Sequence, residues 1–250
     1  MQVFGVKLPA MSSLVLWGLL WEVVGQMGLT FFLPPLSQVI VTLFEIIGTP
    51  PFLKALWETG YAFFMGVFFA IVIGIPVGIL MGKSRFLDEL LLPWVNIFVS
   101  APLTALVPVL MVLFGFGLTS IIITTALFAI WIIILNARAG VRQINRSLVE
   151  MARSFGASPL DAFAKIYFWA ALPEILGGVR IGVIRAVKGV IIGQLLISIV
   201  GFGALFELYA SNFLMGHFWA VLIILFALAF SISEFLGYLE RKVAYYAAKR

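Results

Sequence analysis

The chain reads as an all-α, polytopic membrane protein with about six transmembrane helices, and three observations predict it. Hydrophobic residues make up 63% of the sequence and charged residues 11%, against about 45–50% and about 25% in soluble domains; the mean hydropathy is +1.17. A helix needs about 20 mostly apolar residues to cross a bilayer, and such stretches lie near 11–32, 60–82, 90–114, 119–135, 175–199 and 218–237. The basic residues, finally, gather on one of the two sides that these spans define. With the N-terminus inside, Lys7, Lys83, Arg85, Arg138, Arg142, Arg146, Arg153, Lys165, Arg241, Lys242, Lys249 and Arg250 all fall in inner segments, and only Lys54 falls outside. That bias is the positive-inside rule, and it explains a pI near 9.6 without nucleic acid as a partner. One membrane domain over residues 1–250, with both termini cytoplasmic, is the expected organisation.

In chain order, Lys7 precedes the apolar run Leu14–Trp21, and no small-residue cleavage site comes after it, so the segment reads as an uncleaved first span. Leu36, Val39, Ile40, Leu43 and Ile47 give the next segment one broad apolar stripe, that of an interfacial helix on the outer side. In span two Gly74, Gly78 and Gly82 recur at i+4, as do Gly178 with Gly182 and Gly189 with Gly193 in span five; small residues at this spacing let helices approach closely. Gly78 to Ser84 superficially resembles a phosphate loop, but three residues separate its glycines where four are required, and it ends a membrane span. Pro93, Pro102 and Pro108 are expected to break up span three, either to line a path or merely to kink a packed helix.

The longest polar interruption runs from 136 to 173. Ser147 with Glu150 three residues later fits a capping box. Leu148, Met151, Ala152 and Phe155 then form one apolar face, and Gly156 is placed to end the helix in the left-handed conformation. Ser158 and Pro159 read as the cap and first position of a second helix, with Leu160, Phe163, Ala164 and Tyr167 as its stripe and Asp161–Lys165 as an i,i+4 pair, limited or kinked by Pro173. A short helix, a glycine elbow and a second helix are therefore expected to face the cytoplasm, either to dock a partner or as an amphipathic hairpin that lies on lipid or folds on its own spans.

Within span five Arg180, Arg185, Lys188 and Gln194 interrupt an apolar run. Arg180 and Arg185 are expected near the inner interface, whereas Lys188 and Gln194 are candidates for a transport path together with Pro102, with snorkelling of Lys188 the alternative. Glu22 beside Gln26, and Glu234 beside Ser233, are expected to pair structurally, and His217 beside Phe218 and Trp219 reads as an interfacial ring. The sequence contains no cysteine, which excludes disulfides and thiolate chemistry, and no catalytic or metal constellation stands out.

The run Glu150-Met151-Ala152, Gly156 and Ile166 resembles the cytoplasmic loop of the permeases of binding-protein-dependent ABC importers. Gly82 to Asp88, Ala101-Pro102, Val107-Pro108, Phe114-Gly115, Gly140 to Arg142, Leu172-Pro173, Gly178 to Arg180 and Gly201 to Gly203 agree, so that the resemblance covers about residues 33–240. The branch that handles nitrate, sulfonates and taurine is the most similar. Phe168-Trp169 stands where that family carries Leu-Pro, Met151 where it carries Ala, and Gln194 where branch members often carry Glu. The resemblance implies a type I importer permease in a prokaryotic cytoplasmic (inner) membrane. It implies that this chain forms the path for a small polar or anionic solute and pairs with a second permease copy. It also implies an extracytoplasmic substrate-binding protein, for which segment 36–47 and the outer loop 201–216 are the candidate contacts, and separate ATPase subunits that hold ATP and Mg. The resemblance assigns the ATPase contact to Glu150, Met151, Ala152, Phe155, Gly156 and Ala157 within 147–160. The alternative, an ion-gradient-driven secondary transporter, requires acidic residues deep in the membrane, and the chain has few; an intramembrane enzyme would need paired catalytic residues.

Overall fold

The computed structural model describes residues 2–3, 6–7, 10–158, 161, 166–197 and 199–247. A two-residue hairpin, β1 (Gln2–Val3) against β2 (Val6–Lys7), precedes ten α-helices among the described residues. These are α1 (Ala10–Gln26), α2 (Leu36–Ile46), α3 (Pro50–Lys83), α4 (Arg85–Ser100), α5 (Val107–Phe114), α6 (Leu118–Arg142), α7 (Arg146–Ser154), α8 (Phe168–Ile197), α9 (Gly201–Ser211) and α10 (Met215–Ala247).

Among the described residues, 50–83, 118–142 and 215–235 form three helices long and apolar enough to cross a membrane, and the bent pairs α4–α5 and α8–α9 raise the count to five where each pair is taken as one span. α1 has 17 residues, the short end of the range of about 17–25 that spans a bilayer. Its Leu14, Val15, Leu16, Trp17, Leu19 and Leu20 are exposed, as lipid-facing side chains would be.

The centre of the fold is α6, packed on α3 along one side and α8 along the other. Glycine makes both contacts possible. A Cβ on Gly78 of α3 would lie 2.5 Å from the carbonyl oxygen of Ile134 and 2.7 Å from Cβ of Ala137, and one on Gly178 of α8 would lie 2.5 Å from Cβ of Asn136. Backbones this close interlock by dispersion alone, which is what holds helices together where water supplies no drive. Gly74, Gly82, Gly182 and Gly189 lie in the same two seams, whereas Gly193 meets Thr124 only at ordinary contact distance. Between the seams sit Ala62, Ala70, Val107, Ile121, Ala129, Ile133, Ala186 and Val190, all buried.

Span three differs most from expectation. α4 and α5 meet at 96°, joined by a 3-10 turn over Leu103–Leu106. Of the three prolines only Pro102 makes the break. The residue before a proline is driven out of the helical region, and Ala101 is extended at φ −68°, ψ 147°. Pro93 sits inside an unbroken α4, and Pro108 is in the first turn of α5, where its missing N–H costs nothing. Two other boundaries shift. α6 continues through the first seven residues of the polar interruption, 136–142, and α8 runs on past Pro173 after a π turn at 166–167, so Pro173 does not limit it.

α2 keeps its expected span but not its expected face. Val39, Thr42 and Ile46 are the buried residues, packed with Phe52, Phe202 and Val221, while Ile40 and Ile47 are exposed. Side-chain bonds clamp it there. Glu22 accepts from Ser37 backbone N–H and Oγ–H, both at 2.8 Å, and from Gln26 Nε2 at 2.9 Å, which satisfies free donors at the α2 N-terminus. Trp21 and Trp219 donate their indole N–H groups to the carbonyls of Pro34 and Phe32. Glu234, by contrast, is exposed and makes no hydrogen bond or ion pair among the described residues.

Candidate functional site

The projection between α6 and α8 is built on α7. Its N-cap is Asn145, not Ser147. The Asn145 Oδ1 accepts from Ser147 backbone N–H at 3.0 Å and from Ser147 Oγ at 2.8 Å, so the helix starts before Ser147 and the Ser147–Glu150 box does not form. Both residue types cap well, and the upstream one captures the free donors first. The other end agrees with expectation. Gly156 adopts φ +79°, Phe155 N–H bonds to the Met151 carbonyl at 3.1 Å, and Ala157 N–H bonds to the Ala152 carbonyl at 3.0 Å. The second of these bonds is the Schellman closure. Ser158 then acts as a cap in its turn: its Oγ accepts from Asp161 N–H at 3.1 Å and donates to Asp161 Oδ2 at 2.6 Å. Pro159, Leu160, Phe163, Ala164 and Lys165, expected in the second helix, lie outside the described residues.

This geometry sets a hydrophobic knob on a rigid stem. Phe155 is 85% exposed and Met151 52% exposed, the two lying four residues apart on one helical face. Glu150 and Gly156 are exposed beside them, and Ala152 and Ala157 are half-buried beneath. All six residues assigned to the ATPase contact are thus brought together.

The stem is fixed by a cluster that sequence reasoning missed. Asp88, in the first turn of α4, is buried. Its Oδ1 accepts from Arg138 Nε, and its Oδ2 accepts from Arg138 Nη2 at 2.9 Å and Arg142 Nη2 at 2.5 Å. Arg138 and Arg142 stand at i,i+4 on the last turns of α6, so a single carboxylate ties both to the start of α4. The available signal was that pair of arginines with the lone acid of the 82–88 segment. Ser84 supports the arrangement by accepting from Leu87 N–H at the α4 N-terminus.

The three path candidates are not brought together. Pro102 is exposed at the break between α4 and α5, Lys188 is exposed on α8, and Gln194 is 1% exposed. Gln194 instead exchanges hydrogen bonds with Thr59 of α3, Nε2 donating at 2.9 Å and Oε1 accepting at 3.1 Å. Glu58 next door accepts the backbone N–H of Gly201 at 2.7 Å. Gly201 has φ +64°, and a Cβ there would collide with Gln194 Nε2. This polar clasp locks α3, α8 and α9 at one point. His217 lies 5.1 Å from the Tyr209 ring, and no group of three or more metal-ligating side chains occurs among the described residues.

Comparison with known proteins gives a consistent answer. The family described as "Binding-protein-dependent transport system inner membrane component" matches residues 70–245. The taurine transport system permease protein of Escherichia coli K12 is 33% identical over 69% of this chain and 64% of its own length. The bicarbonate transport system permease protein of Synechococcus elongatus is 30% identical over 95% of this chain and 89% of its own. The match to the riboflavin transport system permease protein of Chloroflexus aurantiacus spans 59% of that protein. Among solved structures, an inward-facing MetNI methionine ABC transporter chain superimposes with a TM-score of 0.64 at 26% identity, over 77% of this chain and 96% of that one.

Proposed function

The chain belongs to the family of inner membrane permeases of binding-protein-dependent ABC importers, and from that premise we propose that it conducts a small organic or inorganic anion inward and is driven through the knob on α7. The observation that carries the reading is the exposed Met151–Phe155 pair on a helix closed at one end by Asn145 and at the other by left-handed Gly156. An apolar pair of this size on a polar cytoplasmic face is unstable in water by about 1.5–3 kcal/mol per side chain if it stays uncovered. It suits a hydrophobic cleft on a soluble partner.

In this reading Phe155 and Met151 fill a cleft of an ATPase subunit, and Gly156 lets the backbones approach. Glu150 flanks the contact, and Ala152 and Ala157 support it. ATP and Mg are held by that partner, and the chain itself is not an ATPase. A second permease copy completes the path, an extracytoplasmic binding protein delivers the solute, and both termini lie on the cytoplasmic side. The anion class is supported by two of the relatives, whose names specify bicarbonate and taurine, the latter through its sulfonate group, whereas the name of a third specifies riboflavin.

The test is to co-express the chain with its ATPase subunits and binding protein. Wild-type chain should retain the ATPase through purification, and Gly156→Val, which forces a branched side chain into a positive φ, should leave membrane insertion intact while hydrolysis no longer drives uptake. Unchanged uptake by that variant sinks the docking assignment.

A further inference from the structure

Two cations in α8 have no obvious structural employment. Lys188 is exposed and Arg185 half-buried, and neither makes an ion pair or hydrogen bond among the described residues. They stand at i,i+3 and so share one face of the helix. Ile181, at 42% exposure, and Leu195, at 45%, continue that face above and below. It borders the stripe of Gly178, Gly182 and Gly189 that meets α6: Arg185, four residues before Gly189, is half-buried at the edge of that contact, and Lys188 lies on the open flank.

Their depth is set by the glycine seams. A Cβ on Gly189 would lie 2.9 Å from Cβ of Phe128 and 3.1 Å from Cα of Thr125, and a Cβ on Gly66 would lie 2.6 Å from Cβ of Thr125. Lys188, one residue from Gly189, is therefore level with Gly66 of α3. Along α3 Gly66 is about 18 Å from Lys54 and about 26 Å from Lys83 at roughly 1.5 Å per residue, each more than the half-thickness of about 15 Å of a bilayer core. Arg185 is one turn lower. With the hydrocarbon core centred between Lys54 and Lys83, that level lies within about 4 Å of the midplane, and the four-carbon stem of a lysine ends short of either surface, which disfavours snorkelling as the account of Lys188. Arg185 also lies deeper than the inner interface expected of it. Two unpaired cations in hydrocarbon are expensive, and intramembrane charges face a water-filled path or a partner.

We propose that Arg185 and Lys188 form a mid-membrane subsite for the transported anion, an oxyanion of sulfonate or carboxylate type, on a face of α8 that borders an aqueous path. The inference rests on the permease reading and deepens it by placing the solute. The chemistry suits the task. A guanidinium offers a planar fork to two oxygens and an ammonium adds a compact charge from the next turn. With only two cationic side chains and room for water beside them, the site can bind and still release.

The absence of native cysteine allows a direct test on the complete transporter in proteoliposomes. Lys188→Cys, Ile181→Cys and Leu195→Cys are each exposed to two membrane-impermeant methanethiosulfonates, one carrying a sulfonate and one a trimethylammonium group. Ala129→Cys, at 0% exposure, sets the unreactive baseline. All three face positions should react, the sulfonate reagent about tenfold faster than the cationic one because a nearby unpaired cation concentrates anions in a confined path. In Ile181→Cys and Leu195→Cys, which keep both cations, adding Arg185→Gln and Lys188→Gln should abolish that preference. Reaction at the baseline rate overturns the aqueous face, and equal rates for the two reagents overturn the anion subsite. Retention of the ATPase is scored in the same samples. Its loss strikes the permease reading itself, whereas retained ATPase with an unreactive or unselective face strikes only the subsite.

Discussion

Replacing Asp88 by asparagine should be the most damaging conservative change at the end of the protein that carries α7. The carboxylate has 6% side-chain exposure, against 17% for Arg138 and 45% for Arg142. Removing one partner of a buried ion pair costs about 3–5 kcal/mol, because the survivor is left charged and dry. Here Arg142 can turn back to water and contributes little, so the loss falls mainly on Arg138, whose two bonds to Asp88 have no substitute nearby. About 3 kcal/mol is expected, or a fall in Tm of roughly 6–12 °C at about 2–4 °C per kcal/mol for a chain of this size. Thermal unfolding of the purified protein in detergent, monitored by circular dichroism or by loss of the monodisperse peak on size exclusion, measures it. Two companions sharpen the result. Arg142→Ala alone should cost under about 1 kcal/mol, as an exposed pair does, and adding Arg138→Met to Asp88→Asn should restore part of the loss by removing the orphaned charge. A Tm for Asp88→Asn within about 2 °C of wild type would show that the carboxylate does not hold the helices, and the reasoning fails.

Gly78→Val should separate α3 from α6, since even the first added carbon would lie 2.5 Å from the Ile134 carbonyl oxygen; overpacking of about 1–3 kcal/mol or more is expected, read as aggregation or a lowered Tm. Gln194→Leu removes both bonds to Thr59, leaving Thr59 Oγ1 with only the long bond it accepts from Phe202 N–H at 3.4 Å and its own O–H without the Gln194 acceptor, a cost of about 1–3 kcal/mol visible in the same assay. Phe155→Ala should leave Tm unchanged within about 0.5 kcal/mol, as surface substitutions do, because the ring is 85% exposed, yet reduce ATPase co-purification at least about tenfold, a loss typical of an interface anchor. Equal recovery of the ATPase would show that the ring is not part of the contact.

Legibility in the sequence was governed by distance along the chain. Apolar runs give the spans, and the i+4 glycine rows give the seams around α6, because both are local periodicities that packing merely uses. The same holds for Gly156, whose left-handed turn is set by residues within one helical turn of it. The cap was misplaced by two residues because Asn145 and Ser147 are both good caps and only the three-dimensional path of the backbone decides between them. Of three prolines, the one that broke the span was the one whose predecessor became extended, and that depends on what the freed segment packs against. Asp88 and Arg138 are separated by 50 residues, and Gln194 and Thr59 by 135. No periodicity connects such pairs. A polar residue in an apolar run looks alike whether it is exposed or holds a buried partner, and Lys188 and Gln194 are those two cases in one helix.

The long-range pair that sequence could not show is also what gives the legible loop its stiffness. Only residues 143–145 separate the end of α6 from the start of α7, and Asn145 is itself engaged as the cap. A force on Phe155 therefore passes through nine helical residues and a three-residue joint into Arg142 and Arg138. These are bonded to Asp88 at the head of α4, whose far end is the 96° break at Ala101–Pro102. A loop hanging from an untethered helix end would dissipate the same displacement by fraying. Tethered by a buried carboxylate, the end of α6 and the head of α4 must move together, so a substitution that frees Asp88 should weaken the response of the bent α4–α5 pair to a partner bound at Phe155 even where the ATPase still binds.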